Sequence, residues 1–493
     1  MKILLINPPF YRIIGFYSRY FPFALTIIAT ALKKEGHEVW VYDAELYSKP
    51  NELDFSILPQ KYPVYLNSLN DKNNPVWNDV RQTILNFNPD VVGISIYTTY
   101  AASSFQTAKI TKELFPDCPV IVGGPHATAK ADEILRISQY IDYVIRDEGE
   151  EAMIQLLNQF KSEATQLTLI EGLSYRENSI INHNTERTIS NENSKFSFPD
   201  RSLLTNEKLY SSEDMGLIMT TRGCPYNCSF CASHIKKVKY RSVQDILDEI
   251  KLVKEKYGTT QFTFKDDSFT LNKKRVYEFC HALINEKFKI KWECNTRVNL
   301  IDEDILKLMK KAGCNFIKIG IESGSDQILL KVNKSISCEQ SRSAAKILRK
   351  AGIHWSAYFL IGLIGETKED IYKTLKFMYE LKPDLAILGV YENLPGTQMF
   401  QEGIDKNIVK PDMNLNDFYT TFPNLYYLKN TNIQSDVIDI KGFVVIEKEI
   451  KEKFHAYNKR PINVIKTAFA KFDVYIREPK ILIEDIKKFF KYI

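Results

Sequence analysis

The sequence predicts an α/β protein: an N-terminal doubly wound parallel sheet, then a partial (β/α)6 barrel, then a mixed, helix-rich C-terminal region. Three observations predict it. Short apolar runs alternate with helical patterns over residues 1–160. The same alternation resumes over 214–395, where six strand patterns enclose five helical ones. Residues 161–213 break the rhythm between them. Strands this apolar are buried on both faces, the situation of a parallel sheet flanked by helices.

The elements follow in order. Lys2–Pro8 is a strand ending in Asn7-Pro8-Pro9, and Phe23–Gly36 is a helix closed by Gly36. Glu38–Asp43 is the second strand. Leu46–Pro75, polar and rich in Asn and Pro, reads as an inserted loop. Trp77–Asn88, Ser103–Phe115, Ala131–Gln139 and Glu150–Phe160 read as helices around strands at Asp90–Tyr97, Pro119–Gly124 and Tyr143–Arg146. In the linker 161–213, Ile170–Arg176 and Ile180–Ile189 pair as a hairpin about Glu177-Asn178-Ser179. Barrel strands are expected at Gly216–Thr221, Gln261–Lys265, Lys289–Asn295, Asn315–Ile321, His354–Gly362 and Leu385–Tyr391. Helices are expected at Val243–Tyr257, Lys273–Lys287, Asp302–Ala312, Glu339–Ala351 and Lys368–Leu381. Residues 396–493 form an α-rich cap, in which Ile481–Ile493 is a basic amphipathic helix.

Composition narrows the class. The 493 residues suffice for two or three domains. A net charge of +5 on 66 basic and 61 acidic side chains is too even for a nucleic-acid binder. The longest apolar stretch, Phe21–Leu32, is shorter than the ~20 residues that span a bilayer. The N-terminus runs straight into a strand with no signal-peptide layout, so a cytoplasmic location is the default, with membrane-surface contact a minor alternative. The eight cysteines do not suggest a disulfide framework in a chain of this kind. Cys118, Cys280, Cys294, Cys314 and Cys338 lie in apolar patterns and read as small buried hydrophobes.

The other three, Cys224, Cys228 and Cys231, stand within eight residues just after a strand. One short loop can wrap three thiolates round a corner of an iron–sulfur cubane. Such clusters usually take four cysteines; the missing fourth leaves one iron open to an outside ligand. Structural zinc prefers two separated Cys pairs or a nearby His, and His234 is poorly spaced for it.

The pattern C-x-x-x-C-x-x-C at the end of the first barrel strand resembles the radical S-adenosylmethionine (SAM) family, over about 214–395. The resemblance implies a [4Fe–4S] cluster on Cys224, Cys228 and Cys231, with SAM on the open iron. It implies SAM contacts from Phe230 at the adenine, Asp266 and Asp267 near the methionine amino group, Arg297 at the carboxylate, and Glu322 and Ser323 at the ribose and carboxylate. Taken singly, Asp266, Asp267 and Glu322 are equally well read as caps of the following helices. Their common place after consecutive strands favours one site.

Residues 1–160 resemble the cobalamin-binding domain of a large radical SAM subgroup of methyltransferases and cyclases. The carriers are Ser95 and Tyr97 after the third strand, and Gly123, Gly124 and His126 after the fourth. Asn7 and Pro8 stand where cobalamin domains usually carry D-x-H-x-x-G, so no lower His ligand is expected. The resemblance implies an enzyme that cleaves SAM reductively and, with cobalamin, methylates an unactivated carbon of a small molecule. Its electron would come from a donor such as flavodoxin or ferredoxin. Radical ring closure or rearrangement without net methyl transfer, and a non-catalytic cobalamin or redox sensor, are the alternatives.

Overall fold

The computed structural model describes residues 1–16, 20–47, 58–162, 166–187, 198–233, 235–429, 437–461, 463 and 475–476. His234 and the predicted helix at Ile481–Ile493 lie outside them, as do the last residues of the predicted hairpin strand, 188–189. Two compact units result. One comprises Met1–Leu217 with Glu392–Lys429, the other Ile218–Tyr391 with Asn430–Ile493.

The first unit is built on β1 (Lys2–Asn7), β2 (Glu38–Asp43), β3 (Val91–Ser95), β4 (Val120–Gly123), β5 (Tyr143–Ile145), β6 (Leu173–Glu177) and β7 (Ile180–His183). They form one sheet in the order β2-β1-β3-β4-β5-β6-β7. The five strands from β2 to β5 are parallel; β6 and β7 add antiparallel. The reversal of strand order beside β1 is the switch point at which open α/β sheets bind ligands. Ile3, Leu4, Ile6, Val91, Val92, Val120 and Val122 are all fully buried, which is why these runs carry no polar alternation.

One expectation is corrected. Leu46–Pro75 is not wholly a loop: Leu58–Leu69 is a helix that tolerates Pro63 inside it, and buries Tyr62, Tyr65 and Leu69. Burial of three large side chains outweighs the ~3 kcal/mol that an interior proline costs a helix. The segment 161–213 carries the expected hairpin. Its hairpin extends the sheet, and its later part docks on the far edge, where Thr205 N–H donates to Val41 O at 2.9 Å. Arg201, 2% exposed, is satisfied there by carbonyls: Nε donates to Met215 O at 2.9 Å and Nη2 to Leu217 O at 2.8 Å.

The second unit carries β8 (Leu217–Ile218), β9 (Thr221–Arg222), β10 (Lys239–Tyr240), β11 (Gln261–Phe264), β12 (Lys291–Arg297), β13 (Cys314–Glu322), β14 (His354–Ile361) and β15 (Leu385–Val390). Six form an open sheet in the order β15-β14-β13-β12-β11-β8. The first strand is shorter than Gly216–Thr221, because the chain leaves the sheet and Thr221–Arg222 pairs antiparallel with Lys239–Tyr240. Helices Val243–Tyr257, Lys273–Asn285, Glu303–Lys311, Cys338–Ala351 and Lys368–Leu381 lie between successive strands. They bury one face of the sheet. Phe264, Phe269, Phe279 and Trp292 meet there with ring centroids 5.2–5.9 Å apart. The five cysteines read as core are all buried.

Candidate functional site

The site of the second unit begins at the loop after β9. Gly223 opens it with φ +94°, and a Cβ there would stand 2.6 Å from Ile235 O. Only glycine fits so close an approach. Cys224 N–H donates to Ile235 O at 2.9 Å, and Cys231 N–H to Cys228 O at 3.0 Å, which curls the three thiols into one turn of chain. Two donors aim at the sulfurs: Ser233 N–H at Cys231 Sγ, 3.5 Å, and Arg297 Nη1 at Cys228 Sγ, 3.4 Å. Burial, and then Cys228, Asp267 and Cys224 nearby, push the Cys231 thiol up. Among the described residues no three His, Cys, Asp or Glu side chains converge on a single ion. A cubane needs no such convergence, since each thiolate meets a different iron, and three cysteines plus N–H donors to sulfur fit it.

Arg297, at the end of β12, is 6% exposed. Its guanidinium lies 3.6 Å from the Tyr226 ring centroid and also donates to Lys334 O. Asn299 Nδ2 holds the Tyr226 hydroxyl at 3.0 Å. Glu322 ends β13 at a register shift, with φ +68°, and accepts from Lys334 Nζ at 2.5 Å. Such an irregularity re-aims a side chain at the end of a strand. The same ammonium stands 5.8 Å from the Phe230 ring. Thus Cys228, Phe230, Arg297 and Glu322 are tied together through Tyr226 and Lys334.

The remaining predicted residues occupy different positions. Asp266 is fully buried, and its carboxylate accepts from Thr220 N at 2.6 Å, Thr221 N at 3.1 Å and the Thr220 hydroxyl. It joins the first two barrel strands. Asp267 is exposed and accepts from Ser233 Oγ at 3.2 Å, beside the cysteines. Ser323, also fully buried, shares its hydroxyl with Thr374 at 3.1 Å and with Ser325 N–H at 3.1 Å.

In the first unit the predicted residues line the C-terminal edge of the sheet. Ser95 and Gly123 are register partners. Gly124 has φ +118°, and a Cβ on it would meet Ile96 O at 2.8 Å, whereas one on Gly123 would touch nothing nearer than 3.6 Å. Bare backbone at this edge fits a ligand that approaches closely. Tyr97 is 42% exposed and lies 5.2 Å from the Tyr100 ring. His126 is 1% exposed; Nδ1 meets Thr98 Oγ1 at 3.1 Å, while Nε2 has no partner among the described residues. Burial, then Lys130, lowers its pKa to about 3, so it is neutral. Asn7 donates to Asp43 Oδ1 at 2.8 Å at the head of the loop Pro8-Pro9-Phe10-Tyr11. Glu45 pins that loop, accepting from Tyr11 N at 3.1 Å and Arg12 N at 2.9 Å.

Sequence reasoning missed Tyr226, Lys334 and Glu45. Tyr226 carried a usable signal, an aromatic inside the cysteine loop. Lys334 and Glu45 carried none, because their partners are distant in sequence.

Comparison with known proteins agrees with both halves. The pattern of the Radical SAM superfamily matches residues 218–378, and that of the B12 binding domain matches 13–157. An uncharacterized methyltransferase of Pyrococcus horikoshii is 31% identical over 478 residues, 95% of each chain. The radical SAM methyltransferase TsrM from Kitasatospora setae, solved with cobalamin and a [4Fe–4S] cluster, has a TM-score of 0.63 at 17% identity, covering 83% of this chain and 76% of its own. The cobalamin-dependent SAM radical enzyme OxsB, solved with aqua-cobalamin and SAM, has a TM-score of 0.68 at 16% identity, covering 99% and 75%. Those two likenesses are of fold. The full-length relative and the two domain patterns together establish that this chain is an enzyme of the radical SAM superfamily, in the branch with an N-terminal B12-binding domain, whose cofactors are a [4Fe–4S] cluster, SAM and cobalamin.

Proposed function

We propose that the protein is a cobalamin-dependent radical SAM methyltransferase acting on an unactivated carbon of a small molecule. One observation carries this: the cysteine loop presents three thiols with N–H donors aimed at two of them, beside a stacked arginine at the next strand end but one. Cys224, Cys228 and Cys231 hold the cluster. When bound, the cofactors supply one electron to cleave SAM to a 5′-deoxyadenosyl radical, and a methyl group carried on cobalt. The protein's part is position. Phe230 would contact the adenine, Glu322 would meet the ribose hydroxyls, and Arg297 would offer a planar fork to the methionine carboxylate. Asp267 faces the amino group. Asp266 and Ser323 act as positioning residues, since both are fully enclosed at 0% exposure with their polar atoms engaged by the protein. In the first unit, Asn7, Pro8, Ser95, Tyr97, Gly123, Gly124 and His126 line the cobalamin edge. A flavodoxin or ferredoxin supplies the electron.

The methyl-transfer reading is favoured over ring closure by the full-length relative, which is named a methyltransferase. Anaerobic reconstitution with iron, sulfide and hydroxocobalamin tests it. Cys228→Ala is expected to abolish the cluster EPR signal and SAM cleavage while far-UV circular dichroism is unchanged. Methyl transfer to carbon yields one S-adenosylhomocysteine and one 5′-deoxyadenosine per product. Product formed without S-adenosylhomocysteine would instead establish cyclisation, and a protein cleaving no SAM would be a sensor.

A further inference from the structure

The barrel's inner face carries a cationic row that none of the roles above uses. Side chains alternate across a strand. Phe262 and Phe264 are fully buried against the helices, so Thr263 and Lys265 face the other way. The same holds for Glu293 and Asn295, which alternate with the buried Trp292, Cys294 and Thr296, and for Lys318 between Ile317 and Ile319. Register sets Asn295 opposite Lys318 and Lys318 opposite Ser356. Phe264 pairs with Cys294, which puts Lys265 beside Asn295, one residue on. Lys265, Asn295, Lys318 and Ser356 therefore form one level across four neighbouring strands, two residues below Arg297 on β12.

The charges in this row do not cancel. Lys318 Nζ is paired with Glu293 at 2.6 Å, and Thr263 Oγ1 donates to the same carboxylate oxygen at 2.9 Å. The Lys265 ammonium has no hydrogen-bond or ion-pair partner among the described residues, and its side chain is reachable by water. Ser356 is fully buried, and its hydroxyl too has no hydrogen-bond partner among the described residues. Partial desolvation by the surrounding barrel wall, then repulsion from Lys318, lowers the Lys265 pKa, and Glu293 offsets part of this. An ammonium that water reaches, with no partner among the described residues and beside a second lysine, is open to receive an anion.

We infer that this row is the seat of an oxyanion group, carboxylate or phosphoryl, on the substrate. Lys265 supplies the charge and Ser356 a hydrogen bond, while Asn295, whose Nδ2 already donates to Asp266 O at 3.1 Å, has its second N–H to offer. The seat anchors one end of the substrate so that its reacting carbon is presented at the strand ends, where SAM is proposed to lie. This rests on the function proposed above and adds the substrate's class.

The test uses the full chain, reconstituted, with pyridoxal 5′-phosphate as probe. This anionic aldehyde condenses with an unprotonated amine, losing water, and borohydride reduces the imine to a secondary amine that peptide mapping locates. Lys265 is expected to label several-fold faster than the exposed Lys274, and pyridoxal, lacking the phosphate, is expected to lose that preference. Inorganic phosphate or acetate should protect Lys265, and the anion protecting at lower concentration identifies phosphoryl or carboxylate. Lys318→Met should weaken the protection several-fold, and Lys318→Arg should restore it. Equal labelling of Lys265 and Lys274, or equal preference for the probe and for pyridoxal, overturns the seat. Iron content and EPR are read on the same sample before reduction. A loaded cluster without anion-directed labelling defeats the seat alone; anion-directed labelling without a cluster defeats the proposed function and leaves the seat standing.

Discussion

Glu366 is fully buried, yet among the described residues only one of its carboxylate oxygens has partners, Gly362 N–H at 2.7 Å and Leu363 N–H at 3.3 Å. Burial raises its pKa from 4.5 to about 8. Between those values the folded chain holds a proton that the unfolded chain has released, so stability falls as pH rises. Glu366→Gln keeps the shape and removes the titration. The difference in urea stability between parent and variant should therefore grow by up to a few kcal/mol from about pH 5 to pH 9, with the variant favoured at the alkaline end. A flat difference would mean that the carboxylate is ionised and paired. Gly223→Ala makes a second residue-scale prediction. Its Cβ would stand 2.6 Å from Ile235 O at φ +94°. The strain, roughly 1–3 kcal/mol, falls on the cysteine loop, so iron bound per chain should drop more than helix content does. At this scale the cysteine triad was legible because its spacing alone determines which chemistry one loop can perform. Lys334 was not, because it meets Arg297 from 37 positions away and Glu322 from 12.

Strands and helices were read well wherever the apolar pattern was dense, as at β1, β3 and β4, and less well where polarity misled. Leu58–Leu69 contains Pro59 and Pro63, the usual marks of a loop, and only packing of its tyrosines makes it a helix. The hairpin shows the opposite case. Asn178 and Ser179 both have positive φ, 48° and 65°, as a two-residue turn of the primed type requires. Asparagine accepts this readily and serine does not. Ser179→Gly is accordingly expected to stabilise the hairpin by about 0.5–1 kcal/mol, seen as slower hydrogen exchange across β6 and β7. Unchanged exchange would show that the turn contributes nothing beyond connection.

For the whole molecule, strand–helix alternation revealed both sheets, but nothing in it told where residues 392–429 would go. They complete the first unit. Phe418 packs on Phe105 and edge-on to His126, at centroid distances of 5.3 and 5.9 Å. Glu133, 1% exposed, accepts from the Tyr427 hydroxyl at 2.6 Å and from Met413 N at 3.0 Å. Partners separated by 294 and 280 residues leave no trace in local periodicity. Tyr427→Phe removes one of those partners from a buried carboxylate and should cost about 1–3 kcal/mol. Hydrogen exchange should rise in the helix Pro125–Ile137 and stay constant in the barrel helices; a uniform rise would mean that the two units melt together. Among the described residues no helix is long and apolar enough to cross a membrane.

The discontinuity of that first unit bears on how the chain is made. A ribosome delivers the B12-binding sheet early, but the strip containing Phe418 and Tyr427 emerges only after the whole barrel. At 5–20 residues per second, the 212 positions from Leu217 to Lys429 take roughly 10–40 s. During that interval the nascent sheet carries Phe105 and Glu133 without the packing of Phe418 and the hydrogen bond of Tyr427.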